Sequence, residues 1–188
     1  MATAMSPRQA MAAQKSSPVT VKAVGPFDLG RLARLHRHCF EDPWSRSDLA
    51  HLLAMPGGAG LIARLFETRL SALDAIRGVG FALYRVIQDE AELLSIGVSP
   101  NFQKRNIGAA LLRESMQQSF KEGARSMFLE VAIDNKPAIA LYHRHGFHEV
   151  GTRKDYYKRS DGGRTNAYTM RCDLIKACCR QPDNHPSR

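Results

Sequence analysis

Residues 92–112, ELLSIGVSPNFQKRNIGAALL, decide how this chain is read. An apolar run suited to a strand stops at Ser99-Pro100, a short basic turn follows, and apolar residues at helical spacing begin at Ile107. A strand that passes through a tight turn into a helix gathers free backbone N–H groups at one point. The helix dipole adds partial positive charge there. The turn Gln103-Lys104-Arg105-Asn106-Ile107-Gly108 therefore reads as an anion site suited to a pyrophosphate. Lys104 and Arg105 add long-range attraction, and Gly108 lets the backbone come close. Where such a loop usually carries its first glycine, this one carries Asn106. Asn is the commonest non-glycine residue to accept left-handed backbone angles, so a loop that needs only those angles tolerates it. A loop that needs an absent side chain is weakened by it.

Working outward, VTVKAV at 19–24 alternates as a first strand, and Leu29, Leu32, Leu35 and Cys39 recur at helical spacing between Phe27 and Phe40. Glu41-Asp42-Pro43-Trp44-Ser45 breaks that helix, and Ser45 or Ser47 can cap a shorter one through Leu49, Leu52 and Leu53, ended by Pro56-Gly57-Gly58. Strands are expected near 60–66, 78–87 and 90–98, with a loop around 67–77. The pattern from 105 to 122 is helical and closes on Gly123. SMFLEVAI (126–133) reads as a strand, Asn135 begins a helix that ends at Gly146, and 147–157 with 165–172 form a closing hairpin around Asp161-Gly162-Gly163. The order β-α-α-β-β-β-α-β-α-β-β predicts a mixed α/β sheet with helices on both faces.

The 188 residues fit one domain, with hydrophobic content of 44% and charged content of 24% in the ordinary globular range. No window approaches the roughly 20 apolar residues of a membrane span. The first 18 residues read as a disordered extension rather than a secretory or transit signal, the folded domain is expected over 19–174, and 175–188 reads as a polar basic tail. Cys39, Cys172, Cys178 and Cys179 have neither metal nor disulfide spacing, which favours reduced thiols in a cytoplasm, with Cys178-Cys179 incidental to the tail. The net charge of +9 suits an anionic partner or a phosphorylated ligand, or equally a solvated basic surface. His36, His38 and Cys39 lack a second ligand pair for a metal and read as a surface helix face, while His143, His145 and His148 could tune the charge of a substrate but read rather as exposed loop histidines.

Gln103-x-x-Asn106-x-Gly108-Ala109 follows the strand LLSIGV, and about 20 residues later come FLEV (128–131), Asn135 and AIALYHRHGF (138–147). With FEDPWS (40–45) and a terminal RxxYY beginning at Arg153, this series resembles the GNAT acetyltransferase superfamily, and more narrowly its RimI type. The resemblance covers roughly 19–174, and the block 128–147 is its most specific part. It implies one mixed, mostly antiparallel sheet of six or seven strands with a central parallel pair that splays apart. Acetyl-CoA would lie in that opening with no metal, its pantetheine amides against Ile96, Gly97 and Val98. Its pyrophosphate would sit on Lys104, Arg105, Asn106, Ile107, Gly108 and Ala109.

Asn135 matches the asparagine that contacts the cofactor near the thioester, and it equally suits a plain helix cap. Glu130 matches the general base and Tyr142 the general acid. A strand-end charge and a core tyrosine are the plain alternatives. Trp44, Tyr156 and Tyr157 are expected along the acceptor groove. The implied acceptor is a protein N-terminus, the N-terminal alanine of a small-subunit ribosomal protein, with no DNA or membrane and with ribosome contact left open. A lysine side chain or small amine as acceptor, and a non-catalytic module that binds CoA or RNA, are the other readings.

Overall fold

The structure, a computed structural model, describes residues 19–65, 78–158 and 162–179. The extension at 1–18 and the loop expected at 67–77 lie outside the described residues. Seven strands form one sheet: β1 (Val19–Ala23), β2 (Gly58–Leu65), β3 (Gly80–Ile87), β4 (Glu90–Val98), β5 (Ser126–Ala132), β6 (His148–Lys158) and β7 (Arg164–Asp173), in the order β1-β2-β3-β4-β5-β7-β6. Every neighbouring pair is antiparallel except β4 with β5.

Helices α1 (Leu29–Cys39) and α2 (Arg46–Ala54) cover one face; α3 (Ile107–Lys121), α4 (Lys136–Arg144) and α5 (Leu174–Cys179) cover the other. Strand alternation divides the core accordingly. Ile62, Phe81 and Leu83 face Leu32, Leu35 and Leu49 of the first helix layer, whereas Leu61, Ala63, Ala82 and Tyr84 join Ile107, Leu111 and Leu112 of α3. Burial on both faces explains why β2 and β3 read as apolar runs rather than as alternating strands.

Ser45, not Ser47, caps α2. Its hydroxyl accepts from Asp48 N–H, and the Asp48 carboxylate accepts from Ser45 N–H in return. Residues 175–179, read from the sequence as the start of a polar tail, lie in α5, and 180–188 lie outside the described residues. Asp173 Oδ1 accepts from Lys176 N–H at 3.1 Å and starts α5, Leu174 is fully buried, and Ala177 and Cys178 pack on the core. Cys178 is therefore a packing residue rather than an incidental one. Among the described residues no helix is long and apolar enough to cross a membrane.

Candidate active site

The site is built where β4 and β5 part. Their pairing runs from Glu90–Ser126 to Leu93–Leu129 and then stops. On the opposite edge of β4, Leu83 lies across from Ser95 but Tyr84 from Leu93, so Leu94 is an extra residue. Such a bulge bends its strand and increases its twist, here at the point where β4 leaves β5. Ser99 N–H bonds Val79 C=O at 2.9 Å and Gly97 lies opposite Phe81. Because bonding direction alternates along an antiparallel ladder, the peptide groups of Ile96 and Val98 turn toward the gap. Gln103 Nε2 donates to Val98 C=O at 3.3 Å, tying the basic turn to the end of that edge.

At the turn, Lys104 and Asn106 both adopt φ of 60°. Asn106 is the N-cap of α3 with ψ of 13°, and its side chain makes no capping bond. The first helical bond runs from Ala110 N–H to Asn106 C=O, which leaves the N–H groups of Ile107, Gly108 and Ala109 ahead of it. A Cβ on Gly108 would meet Leu141 Cδ2 at 3.5 Å and Val98 Cγ2 at 3.8 Å, ordinary contacts, so protein packing does not demand glycine there. Gly97 differs. A Cβ there would come within 2.8 Å of Phe81 Cε1 and 2.9 Å of Cys39 Cβ, so its size is set by the end of α1 against β4. Arg105 lies over the Phe102 ring, 5.4 Å from its centroid.

On β5, Leu129 and Val131 are buried in the core beside α3, so Glu130 points to the other face, where its side chain is 18% exposed. Three neighbours surround it. Arg153 Nη1 stands 2.7 Å from its Oε1, Tyr157 Oη donates to its carbonyl at 3.2 Å, and the carboxylate lies near enough to the Tyr156 hydroxyl to raise it. The Glu130 carboxylate and burial hold the Tyr156 hydroxyl above its ordinary range. Burial, then the nearby Tyr156 and Glu130, push Tyr157 up to about 12.

Tyr142 projects from α4 with 5% exposure, its ring 5.8 Å from that of Phe147. Burial, with a smaller contribution from Tyr157, raises its hydroxyl far above the usual phenol range. Asn135 caps α4, its Oδ1 accepting from Ala138 N–H at 3.3 Å. The structure thus bears out the helix-cap half of the Asn135 expectation.

The α1–α2 connection lies on the sheet face covered by α1 and α2, the face to which Glu130 points. Trp44, 36% exposed, stacks on His36 at 5.0 Å, and His36 also stacks on Phe40 at 4.7 Å. Trp44 N–H donates to His36 Nδ1 at 3.2 Å, which places the ring hydrogen on Nε2, buried without a hydrogen-bond partner. His36 is 2% exposed, and burial lowers its pKa, so the ring is neutral. The sequence reading left His36 on a surface helix face; its spacing of four residues from Leu32, on α1's buried face, was the available signal. His143 and His145 are spent on local backbone contacts, to Phe147 O at 3.1 Å and Leu141 O at 2.9 Å. Two open concavities, of about 450 Å³ over Arg85, Glu92 and Phe128 and about 360 Å³ between α1 and Trp44, are lined by neither Glu130 nor Tyr142. Open backbone edges, rather than enclosure, mark this site.

Residues 29–147 match the model of the acetyltransferase (GNAT) family. The chain belongs to that family. It is an acetyl-CoA-dependent acetyltransferase. It is similar to the N-alpha-acetyltransferase RimI of Mycobacterium tuberculosis, with 38% identity over 84% of this chain and 94% of that one. The ribosomal protein bS18-alanine N-acetyltransferase of Escherichia coli K12 is 32% identical over 76% of this chain and 90% of its own. Among solved structures, the S18-alanine N-acetyltransferase of Escherichia coli superposes with a TM-score of 0.72 at 26% identity, covering 90% of this chain and all of that one. The Arabidopsis thaliana NAA60 complex with acetyl-CoA shares the fold, with a TM-score of 0.73 at 21% identity over 83% of this chain and 98% of its own.

The residues present fit acetyl-CoA. The outward peptide groups of Ile96 and Val98 offer a strand edge to an extended amide-bearing arm. The three leading N–H groups of α3 offer an anion site with room at Gly108.

Proposed function

We propose that this GNAT enzyme acetylates the N-terminal α-amine of a protein, by direct transfer within a ternary complex, with Glu130 as general base and Tyr142 as general acid. The acceptor that fits best is the N-terminal alanine of a small-subunit ribosomal protein; the relatives from Escherichia coli and Haemophilus influenzae are named for an alanine of ribosomal protein bS18. The observation that carries the reading is the placement of Glu130. It is the carboxylate that β5 turns away from the core, one residue past its last pairing with β4.

An ammonium has no lone pair, so the acceptor must lose a proton before it attacks a carbonyl. An α-amine, with a pKa of about 8, is roughly a tenth neutral at pH 7, whereas a lysine near 10.4 is far less so. A carboxylate therefore suffices for an N-terminal acceptor, directly or through one water. Acetyl-CoA supplies the activated thioester. Glu130 accepts the amine proton, and the Tyr142 hydroxyl donates to the departing sulfur. Tyr142 keeps its proton at every working pH because burial disfavours the phenolate. The same desolvation acts on a thiolate beside it and raises the demand for that hydrogen bond. No cysteine nucleophile is invoked: Cys39 and Cys172 are both pushed up to about 11 by burial, which keeps them as thiols.

An acceptor screen tests the proposal. Peptides with a free N-terminal alanine should be acetylated by acetyl-CoA, and the same peptides with a blocked α-amine and a free lysine should not. Preference for the lysine, or for a polyamine, would replace the acceptor while keeping the enzyme class.

A further inference from the structure

Arg153 opens the RxxYY motif, and its position is built rather than incidental. On β6, Arg153 lies opposite Ala167 and Tyr157 opposite Thr165, so four steps on β6 span two on β7. The two surplus residues are accommodated by Asp155 at φ of 50°. Asp155 N–H donates to Asn166 Oδ1 at 3.0 Å, and Arg164 Nη1 donates to Asp155 C=O at 2.7 Å. At this pinned bulge Arg153 reaches Glu130, with the Tyr156 ring against its guanidinium. The guanidinium stands 2.7 Å from Glu130 Oε1 and 5.2 Å from the centroid of the Tyr156 ring.

A carboxylate oxygen, a phenol hydroxyl and an aromatic face together form a cation subsite. They are what a primary ammonium would use while waiting to lose its proton. We propose that in the free enzyme the Arg153 guanidinium occupies the place of the acceptor's α-ammonium at Glu130, and that acceptor binding exchanges one cation for the other. The inference rests on the assignment of Glu130 as the base.

Chemistry and geometry both suit a stand-in. A guanidinium does not deprotonate in a protein, so it can satisfy Glu130 without becoming an acetyl acceptor itself. The pair is asymmetric. The Arg153 side chain is 58% exposed against 18% for Glu130, so the guanidinium can swing into water while the carboxylate stays. A pair open to solvent on one side is weak, which keeps the exchange cheap. Removal of the competing cation should therefore tighten acceptor binding by only about 2- to 5-fold.

The test is steady-state kinetics of wild type, Arg153→Ala and Arg153→Lys with an N-terminal alanine peptide at saturating acetyl-CoA. Arg153→Ala should lower the peptide KM by about 2- to 5-fold with kcat within about twofold of wild type. Arg153→Lys, which keeps the charge, should resemble wild type. Methylguanidinium added to Arg153→Ala should raise its peptide KM again, competitively with peptide and not with acetyl-CoA, and should barely affect wild type. An unchanged acetyl-CoA Kd in Arg153→Ala reports an intact fold. A peptide KM that rises or stays constant in Arg153→Ala overturns the exchange, because Arg153 would then bind the acceptor or do nothing for it. A wild type that acetylates no free α-amine removes the acceptor reading itself, and the exchange with it.

Discussion

The two halves of the cleft are made from different materials. The side toward α3 is backbone: the outward peptides of Ile96 and Val98, and the leading N–H groups of a helix that starts at a left-handed Asn106. The side toward α1 and β6 is side chain: Glu130 beside Arg153 and Tyr156, and Trp44 stacked on His36, while Tyr142 is buried on α4 in the layer of α3. A backbone site fits a ligand whose recognised parts never change, such as the amides and pyrophosphate of a cofactor. A side-chain site can be altered one residue at a time, which suits the half that must choose an acceptor. Substitutions should therefore separate cleanly, with large kinetic effects and little loss of cofactor binding on the acceptor side, and small effects on the cofactor side.

The largest effect is expected at Glu130. Glu130→Gln keeps the shape and one hydrogen-bond acceptor but no longer takes a proton at neutral pH. Turnover should fall by roughly 10²- to 10⁴-fold while the acetyl-CoA Kd, measured by calorimetry, stays within a factor of two. Near-normal turnover would remove Glu130 from the chemistry and break the contrast between the halves. Tyr142→Phe comes next, with a loss of about 10²-fold in transfer from the normal thioester. Since the ring packs against Phe147, the phenylalanine should preserve the fold and cofactor affinity. A weakened acetyl-CoA Kd would show that Tyr142 serves packing on the cofactor side instead. Because Tyr142 and Tyr157 are both raised, kcat should show no alkaline decline from these phenols below about pH 10.

The difference in material also explains what could be read in advance. The strand-turn-helix of 92–112 is local in sequence, and its elements fall within two residues of expectation: β4 ends at Val98, and α3 spans Ile107–Lys121 against an expected 105–122. The FLEV strand and the helix after Asn135 were legible for the same reason. The bulge at Leu94 was not, because it exists only as a mismatch between β3 and β4. Arg153 stood in the quoted motif without a role, since its partner lies 23 residues earlier across a sheet order that periodicity does not reveal. His36 was missed because α1 carries basic residues around it, Arg34, Arg37 and His38, that make its surroundings look solvated.

His36 offers a smaller test, at the α1–α2 connection that carries Trp44. Its folded pKa lies below the unfolded value near 6.5, so the unfolded chain binds more protons as pH drops through that range. The stabilisation from burying a neutral ring is complete above about pH 6.5 and is lost progressively below it. Protonation would also destroy the acceptor at Nδ1 that receives Trp44 N–H. Between pH 7.5 and 5.5 the Tm of wild type should fall further than that of His36→Phe, which has no proton to gain. Equal falls in both would assign the acid sensitivity to another group.

The smallest effect is expected at Asn106, and it bears most directly on whether the cofactor half is built from backbone alone. At φ of 60° and ψ of 13° the residue sits in the left-handed region, and its side chain caps nothing. If the turn uses Asn only for those angles, Asn106→Gly should leave the acetyl-CoA Kd unchanged or slightly lower, because glycine adopts them without strain and removes a side chain from the pyrophosphate's approach. Asn106→Ala should be worse than either, since a residue with a Cβ and no local polar compensation costs about 1–2 kcal/mol in that conformation. The order Gly at least as tight as Asn, and both tighter than Ala, is the signature of a backbone requirement. A glycine variant that binds several-fold more weakly than wild type would instead make the Asn106 amide a ligand. The division between the two halves would then fail at the turn where it is most pronounced.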